Sequence, residues 1–253
     1  MNELEQYFNN NPGRMIFKWH HYFDIYDRHF KRFKGKEIVV VEIGVFQGGS
    51  LQMWKNYFGP RAKIFGIDIN PRVAELKEEN IDILIGSQSD KNFLRKLKRE
   101  LPDIDILIDD GGHKMKQQIF TFEELFSKIK PDGVYVCEDL ATSYHLVYGG
   151  GYKRIGSFVE FTKNLIDKLN AFHSEQKFFK PDELTTSMDS VHYYDNVIVI
   201  EKKRRERPTV SKTGKPVFEF SEQVTSESFV FRILYAVNKV LQFFRLPSFK
   251  LNR

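Results

Sequence analysis

The chain has 253 residues, a formal charge of +5 and 41% hydrophobic residues. It is long enough to bury its own core, and one cysteine, Cys137, excludes a disulfide-stapled scaffold. The basic pI of about 9.0 suggests nucleic acid until the charge is divided. Residues 202–253 hold 12 Lys/Arg against 4 Asp/Glu, a net +8, leaving −3 for residues 1–201. A slightly acidic body does not read a phosphate backbone, so no nucleic-acid partner is expected. No run of about 18 apolar residues marks a membrane span, and the first residues lack the apolar middle of a signal peptide. A cytoplasmic protein is expected.

Residues 15–33 are aromatic-rich and read as an amphipathic helix stopped at Lys34-Gly35-Lys36. Short, β-branched apolar runs follow at 38–43, 63–67, 81–85, 104–108 and 133–137. Their near-continuous hydrophobicity is that of strands buried on both faces. Helical stretches at 50–57, 72–79, 91–100 and 115–130 alternate with them, predicting a parallel sheet covered by helices. Another helix at 155–169, a final strand at 192–201, a charged linker and a last helix at 229–244 complete the chain. The segments are 1–35 (helical), 36–203 (α/β) and 204–253 (basic linker and amphipathic helix).

In such sheets ligands bind beyond the carboxyl ends of the strands. The first strand runs into Glu42-Ile43-Gly44-Val45-Phe46-Gln47-Gly48-Gly49-Ser50. This is not the Gly-x-Gly-x-x-Gly of dinucleotide sites. Glu42 suits an ammonium and the helix start a carboxylate, a pairing offered by the methionine moiety of S-adenosylmethionine; the plainer alternative is a tight turn. Asp68, closing the second strand, suits ribose hydroxyls or a helix cap. Gln88 and Ser89, after the third, suit an adenine edge or another cap.

The fourth strand ends Asp109-Asp110-Gly111-Gly112-His113 and the fifth Glu138-Asp139. Converging carboxylates repel unless a cation lies between them. Oxygen donors of this kind suit Mg²⁺ or Mn²⁺, and His113 is placed to accept a proton. Asp109, alternating with Asp110 along the strand, is assigned either to supporting the site from behind or to the cofactor. Tyr144 and His145 are candidates for the acceptor, and the 148–152 Tyr-Gly-Gly-Gly-Tyr run for a lid. His20, His21, His29 and His173 read as structural.

The stretches EIGVFQGGS, FGIDINP, GSQSD, DDGGH, EDLATSY and SVHYYDNVIVIEK, across residues 37–203, resemble the class I S-adenosylmethionine-dependent methyltransferases. More narrowly, they are similar to the metal-dependent sugar O-methyltransferases of macrolide biosynthesis. The resemblance implies a Rossmann-like, doubly wound, mostly parallel seven-stranded sheet with helical extensions. With the strand ends read above, S-adenosylmethionine is expected at Glu42, Gly44, Gly48, Ser50, Asp68, Gln88, Ser89 and Asp109. The resemblance also implies Mg²⁺ (or Mn²⁺) on Asp110, Glu138 and Asp139, with His113 as general base and a sugar or glycosylated small molecule as acceptor. Three alternatives stay open: a nicotinamide-dependent oxidoreductase, a non-haem iron hydroxylase-like protein and a non-catalytic binding protein. The apolar stripe of the last helix suits packing or a homo-oligomer, and its basic setting a peripheral membrane contact.

Overall fold

The structure, a computed structural model, describes residues 1–218 and 229–250. It divides into two units. The first comprises Met1–Phe172 and Pro181–Glu206; the second takes His173–Lys180 and the described residues from Arg207 onward.

The first unit is built on seven strands: β1 (Val39–Ile43), β2 (Lys63–Asp68), β3 (Ile81–Ile85), β4 (Ile104–Asp109), β5 (Ile129–Cys137), β6 (Met188–Tyr194) and β7 (Val197–Lys202). Their order is β3-β2-β1-β4-β5-β7-β6. The first five are mutually parallel, and β7 runs antiparallel to β5 and β6. The order reverses between β1 and β4, which places a ligand-binding crevice at their carboxyl ends.

Helices α1 (Glu3–Asn9), α2 (Tyr22–Phe30) and α3 (Gly49–Phe58) cover one face of the sheet. Helices α4 (Lys91–Glu100), α5 (Met115–Leu125) and α6 (Phe158–Asn170) cover the other, and a short α7 (Glu183–Ser187) precedes β6. Strand alternation divides the core between the two layers. Val40 joins Tyr26, Trp54 and Phe58 on the first face, whereas Val39 and Val41 join Leu97, Phe122 and Leu125 on the second.

The structure departs from the sequence reading in several places, among them the helix expected at 72–79, which is a 3-10 helix over Pro71–Leu76. Residues 15–19 are not helical; an irregular strap runs from Asn11 into α2. The expected last strand is a hairpin, because Asn196 takes φ +65° and turns β6 into β7. The helix expected to reach residue 130 ends at Leu125, and β5 begins at Ile129, with an irregularity where its pairing with β4 shifts register. In the glycine run, Gly150 N–H donates to His145 O (3.0 Å) and Gly151 N–H to Ser143 O (2.8 Å).

The second unit holds α8 (Phe229–Phe243). Its Asn238 side chain donates to Phe249 O (2.9 Å) and accepts from Phe249 N–H (2.8 Å), folding the following residues back along the helix. No helix among the described residues is long and apolar enough to cross a membrane.

Candidate active site

A cleft of about 550 Å³ opens at the carboxyl ends of β1, β2, β3, β4 and β5, within the usual size range for small-molecule sites. Gly44, Asp68, Gln88, Asp110, His113, Glu138 and Asp139 line it. Glu42, Gly48, Ser50, Ser89, Asp109, Tyr144 and His145, also singled out from sequence, are not among its lining residues.

The side of the cleft at β1 is spent largely on internal bonds. Glu42 is fully buried and accepts a hydrogen bond from Ser50 Oγ at 2.7 Å. A residue at position 42 shares its strand face with Val40 and therefore points into the layer of α2 and α3, beneath the cleft. Gly48 and Gly49 serve the strap: a Cβ on Gly49 would stand 2.3 Å from Met15 O and 2.4 Å from Arg14 O. Gly44, at φ +98°, passes so close to β4 that a Cβ would overlap Asp110 O.

Asp68 accepts from Val45 N–H (2.9 Å), Phe46 N–H (3.2 Å) and Asn70 N–H (2.9 Å), which ties the β1 and β2 loops together. It still borders the cleft, and its Oδ1 keeps acceptor capacity. Gln88 borders the cleft fully engaged. Its Nε2 donates to Asp109 Oδ1 (2.7 Å) and Thr121 Oγ1 (2.9 Å), and its Oε1 accepts from Gly112 N–H (3.1 Å). Asp109 is buried beneath these groups, and burial pushes its carboxyl up to about 6 against the hydrogen bonds from Gln88 and Gly111. Ser89 is exposed and accepts from Gln117 Nε2 (2.9 Å).

The side at β4 and β5 faces the cleft. One ligand atom each from Asp110, His113 and Asp139 lies within 4.8 Å of the others. His113 Nε2 is 3.5 Å from Asp139 Oδ2, and His113 Nδ1 is buried without a hydrogen-bond partner. His113 (φ +54°) and Asp139 (φ +56°) both hold the left-handed conformation, a backbone cost that tight loops at ligand sites commonly carry. Tyr22 O–H (2.9 Å) and Asn196 Nδ2 (3.0 Å) donate to Asp139 Oδ1 and fix the carboxylate.

Glu138 sits differently from the ligand set drawn from the resemblance. Both its oxygens are taken, Oε1 by Tyr26 O–H (2.6 Å) and Oε2 by Lys18 Nζ (2.7 Å). Burial and the Asp110 charge push its carboxyl up, with Lys18 opposing. The structure thus gathers Asp110, Asp139 and His113, while Glu138 lines the same cleft with its carboxylate engaged by Tyr26 and Lys18.

Lys18 escaped the sequence reading. Its ammonium stands 2.5 Å from Asp110 Oδ2, 2.7 Å from Glu138 Oε2 and 3.7 Å from Glu42 Oε1, with its side chain 3% exposed. Burial alone would lower its pKa, but the Asp110, Glu138 and Glu42 charges raise it overall. Tyr22 and Tyr26, which also bond the cluster, were hidden in the same aromatic stretch. A cation flanked by aromatic residues, Lys18 between Phe17 and Trp19, was the available signal.

Residues 41–140 match a family described as "Methyltransferase domain". This stretch is a methyltransferase domain. The chain is 37% identical over 210 residues to 8-demethyl-8-(2-methoxy-alpha-L-rhamnosyl)-tetracenomycin-C 3'-O-methyltransferase of Streptomyces olivaceus, covering 76% of this chain and 52% of that protein. It is 34% identical over 214 residues to mycinamicin VI 2''-O-methyltransferase of Micromonospora griseorubida, covering 79% and 53%. A solved methyltransferase from the mycinamycin biosynthetic pathway, in complex with Mg, SAH and mycinamycin VI, superposes with a TM-score of 0.70 at 33% identity. That match covers 80% of this chain and 53% of that one. The chain spans about half the length of the curated relatives it matches. The matched stretch runs from within β1 through β5 and ends just beyond Glu138 and Asp139, so both sides of the cleft floor belong to it.

Proposed function

We propose that the chain is a Mg²⁺- (or Mn²⁺-) dependent S-adenosylmethionine O-methyltransferase acting on a hydroxyl of a sugar or glycosylated small molecule. The observation that carries this reading is the Asp110–His113–Asp139 cluster in the floor of the cleft. Two carboxylates whose ligand atoms lie within 4.8 Å of one another and of the His113 imidazole fit a divalent cation held on oxygen, with coordination positions left for an acceptor and a base beside it. Asp110 and Asp139 would hold the metal. When bound, it would lower the pKa of an acceptor hydroxyl, and S-adenosylmethionine would supply the electrophilic methyl group.

The remaining work falls to the chain. Asp68 offers Oδ1 to a ribose hydroxyl. Gly44 and Gly111 bring the backbone to the wall of the cleft. His113 accepts the acceptor's proton, with Asp139 orienting its ring through Nε2. Phe17, Trp19 and Phe46 line the cleft at 85%, 57% and 60% exposure and offer apolar surface to a sugar ring or its aglycone. A nicotinamide reading leaves the carboxylates without a task, and a non-haem iron site would want two histidines and one carboxylate. Calorimetry with S-adenosylhomocysteine and a labelled-methyl screen of rhamnosides test the proposal. No binding of S-adenosylhomocysteine refutes it.

Buried Cys137 fits a reducing, cytoplasmic setting. For the second unit we propose a peripheral contact with an anionic membrane surface. Residues 229–250 contain four Lys/Arg and no Asp/Glu, while Phe229, Val230, Val240, Phe243 and Phe244 are more than half exposed. Co-sedimentation of the full chain with phosphatidylglycerol vesicles, lost on deleting residues 221–253, is the expected result. A homo-oligomer in solution with no vesicle binding would replace the membrane with a second copy.

A further inference from the structure

We propose that Lys18 is the built-in counter-ion of the carboxylate cluster: it keeps the site assembled without a divalent cation and weakens the hold on that cation when it binds. The inference rests on the metal reading above and extends it to a residue outside the matched methyltransferase domain.

Four carboxylates converge here. Glu42, Asp110 and Glu138 each lie within 3.7 Å of Lys18 Nζ, and Asp139 adjoins Glu138 in sequence. Glu42 and Glu138 are 0% and 1% exposed. Buried carboxylates at such spacing are costly without a compensating cation. Tyr26 and Ser50 supply hydrogen bonds but no charge. The ammonium supplies it, and Glu42 Oε1, which accepts no hydrogen bond, faces that charge directly.

The strap that carries Lys18 is fastened at several points, so the ammonium is delivered rather than drifting in. Asn11 Nδ2 donates to Arg14 O (2.7 Å), Arg14 N–H to Gln52 Oε1 (3.0 Å) and Arg14 Nη1 to Leu76 O (2.9 Å). The carbonyls of Arg14 and Met15 lie where a side chain on Gly49 would be. The Gly48-Gly49 pair therefore gives the strap its seat, and Lys18 projects from the strap three residues past Met15.

The electrostatics set the sign of the effect. A fixed positive charge beside Asp110 repels a divalent cation bound to the same carboxylate. At about 5 Å and an effective dielectric of about 20, a single positive charge and a divalent cation repel by an amount that corresponds to roughly five orders of magnitude in affinity before solvent screening. The same charge removes the need for metal in folding.

The test uses the full chain and Mn²⁺, with thermal melts and calorimetry in place of turnover. The wild type is expected to melt at nearly the same temperature in EDTA and in Mn²⁺. Lys18→Met is expected to melt lower in EDTA, to recover with Mn²⁺ and to bind Mn²⁺ at least about tenfold more tightly. Lys18→Arg, which keeps the charge, should behave as wild type in EDTA. Gly49→Ala, which unseats the strap, should share the metal-dependent melt of Lys18→Met. A Lys18→Met protein with unchanged EDTA stability and unchanged Mn²⁺ affinity overturns the proposal, as does a loss of fold that Mn²⁺ fails to restore. If neither wild type nor variant binds Mn²⁺, the metal reading itself fails. If both bind it equally, only the role of Lys18 fails.

Discussion

The two sides of the cleft floor look alike in sequence and differ in the folded chain. At the end of β1, a glycine-rich turn and a carboxylate invite a ligand, yet Glu42 faces inward, Ser50 bonds it, and Gly49 makes room for the strap. At the ends of β4 and β5, Asp110, His113 and Asp139 face the cleft and leave His113 Nδ1 unpaired. A conspicuous motif can therefore serve the packing that delivers a functional group. Variants on the β1 side should move stability, and those on the β4–β5 side should move chemistry.

The largest effect is expected at the metal carboxylates. Asp110→Asn or Asp139→Asn should abolish calorimetric Mn²⁺ binding and reduce methyl transfer by roughly a thousandfold or more. His113→Ala should lower turnover by about 10²- to 10⁴-fold while leaving S-adenosylhomocysteine binding in place; full turnover would remove it from the reaction. On the other side, Gly49→Ala forces a contact of 2.3 Å to relax. It should cost about 1–3 kcal/mol of stability, read as a lower melting temperature. Replacement at no cost would mean that the strap does not need that seat.

The smallest effect lies away from the cleft and serves as a control. Glu201 accepts from His29 Nδ1 (2.5 Å) and pairs with Arg32. Burial opposes these partners, but they hold its carboxyl below the usual range. Its contribution is therefore complete above the ordinary glutamate pKa and fades as pH falls through the depressed value. Glu201→Gln should cost about 1–2 kcal/mol at neutral pH, with the difference from wild type closing in acid. A constant gap across pH would show that packing, not charge, is lost.

Much of the first unit was legible. The apolar runs of β1–β5 carry the period and length of buried parallel strands, and ionisable groups at their ends are conspicuous because strands so seldom finish that way. What stayed hidden has physical causes. Aromatic spacing in residues 15–33 imitates a helix, yet the chain is irregular through Trp19, so Lys18 vanished into an expected helical face. HYYDNVIVIE reads as a single strand unless Asn196 is recognised as a turn residue. Whether Glu42 points into the cleft or beneath it depends on strand pleat and on the strap from Arg14 to Lys18, neither of which a local motif encodes. The Lys18–Asp110 and Lys18–Glu138 contacts join residues 92 and 120 positions apart, a juxtaposition that only the fold supplies.

The most direct test of the central claim is calorimetric titration of S-adenosylhomocysteine into the full chain, with Mg²⁺ and with EDTA, followed by the same titration of Asp68→Asn and Ser50→Ala. The account predicts one site per chain in the wild type, weakened by loss of the Asp68 carboxylate and insensitive to Ser50. Absence of binding in the wild type, or dependence on Ser50 with indifference to Asp68, would contradict it.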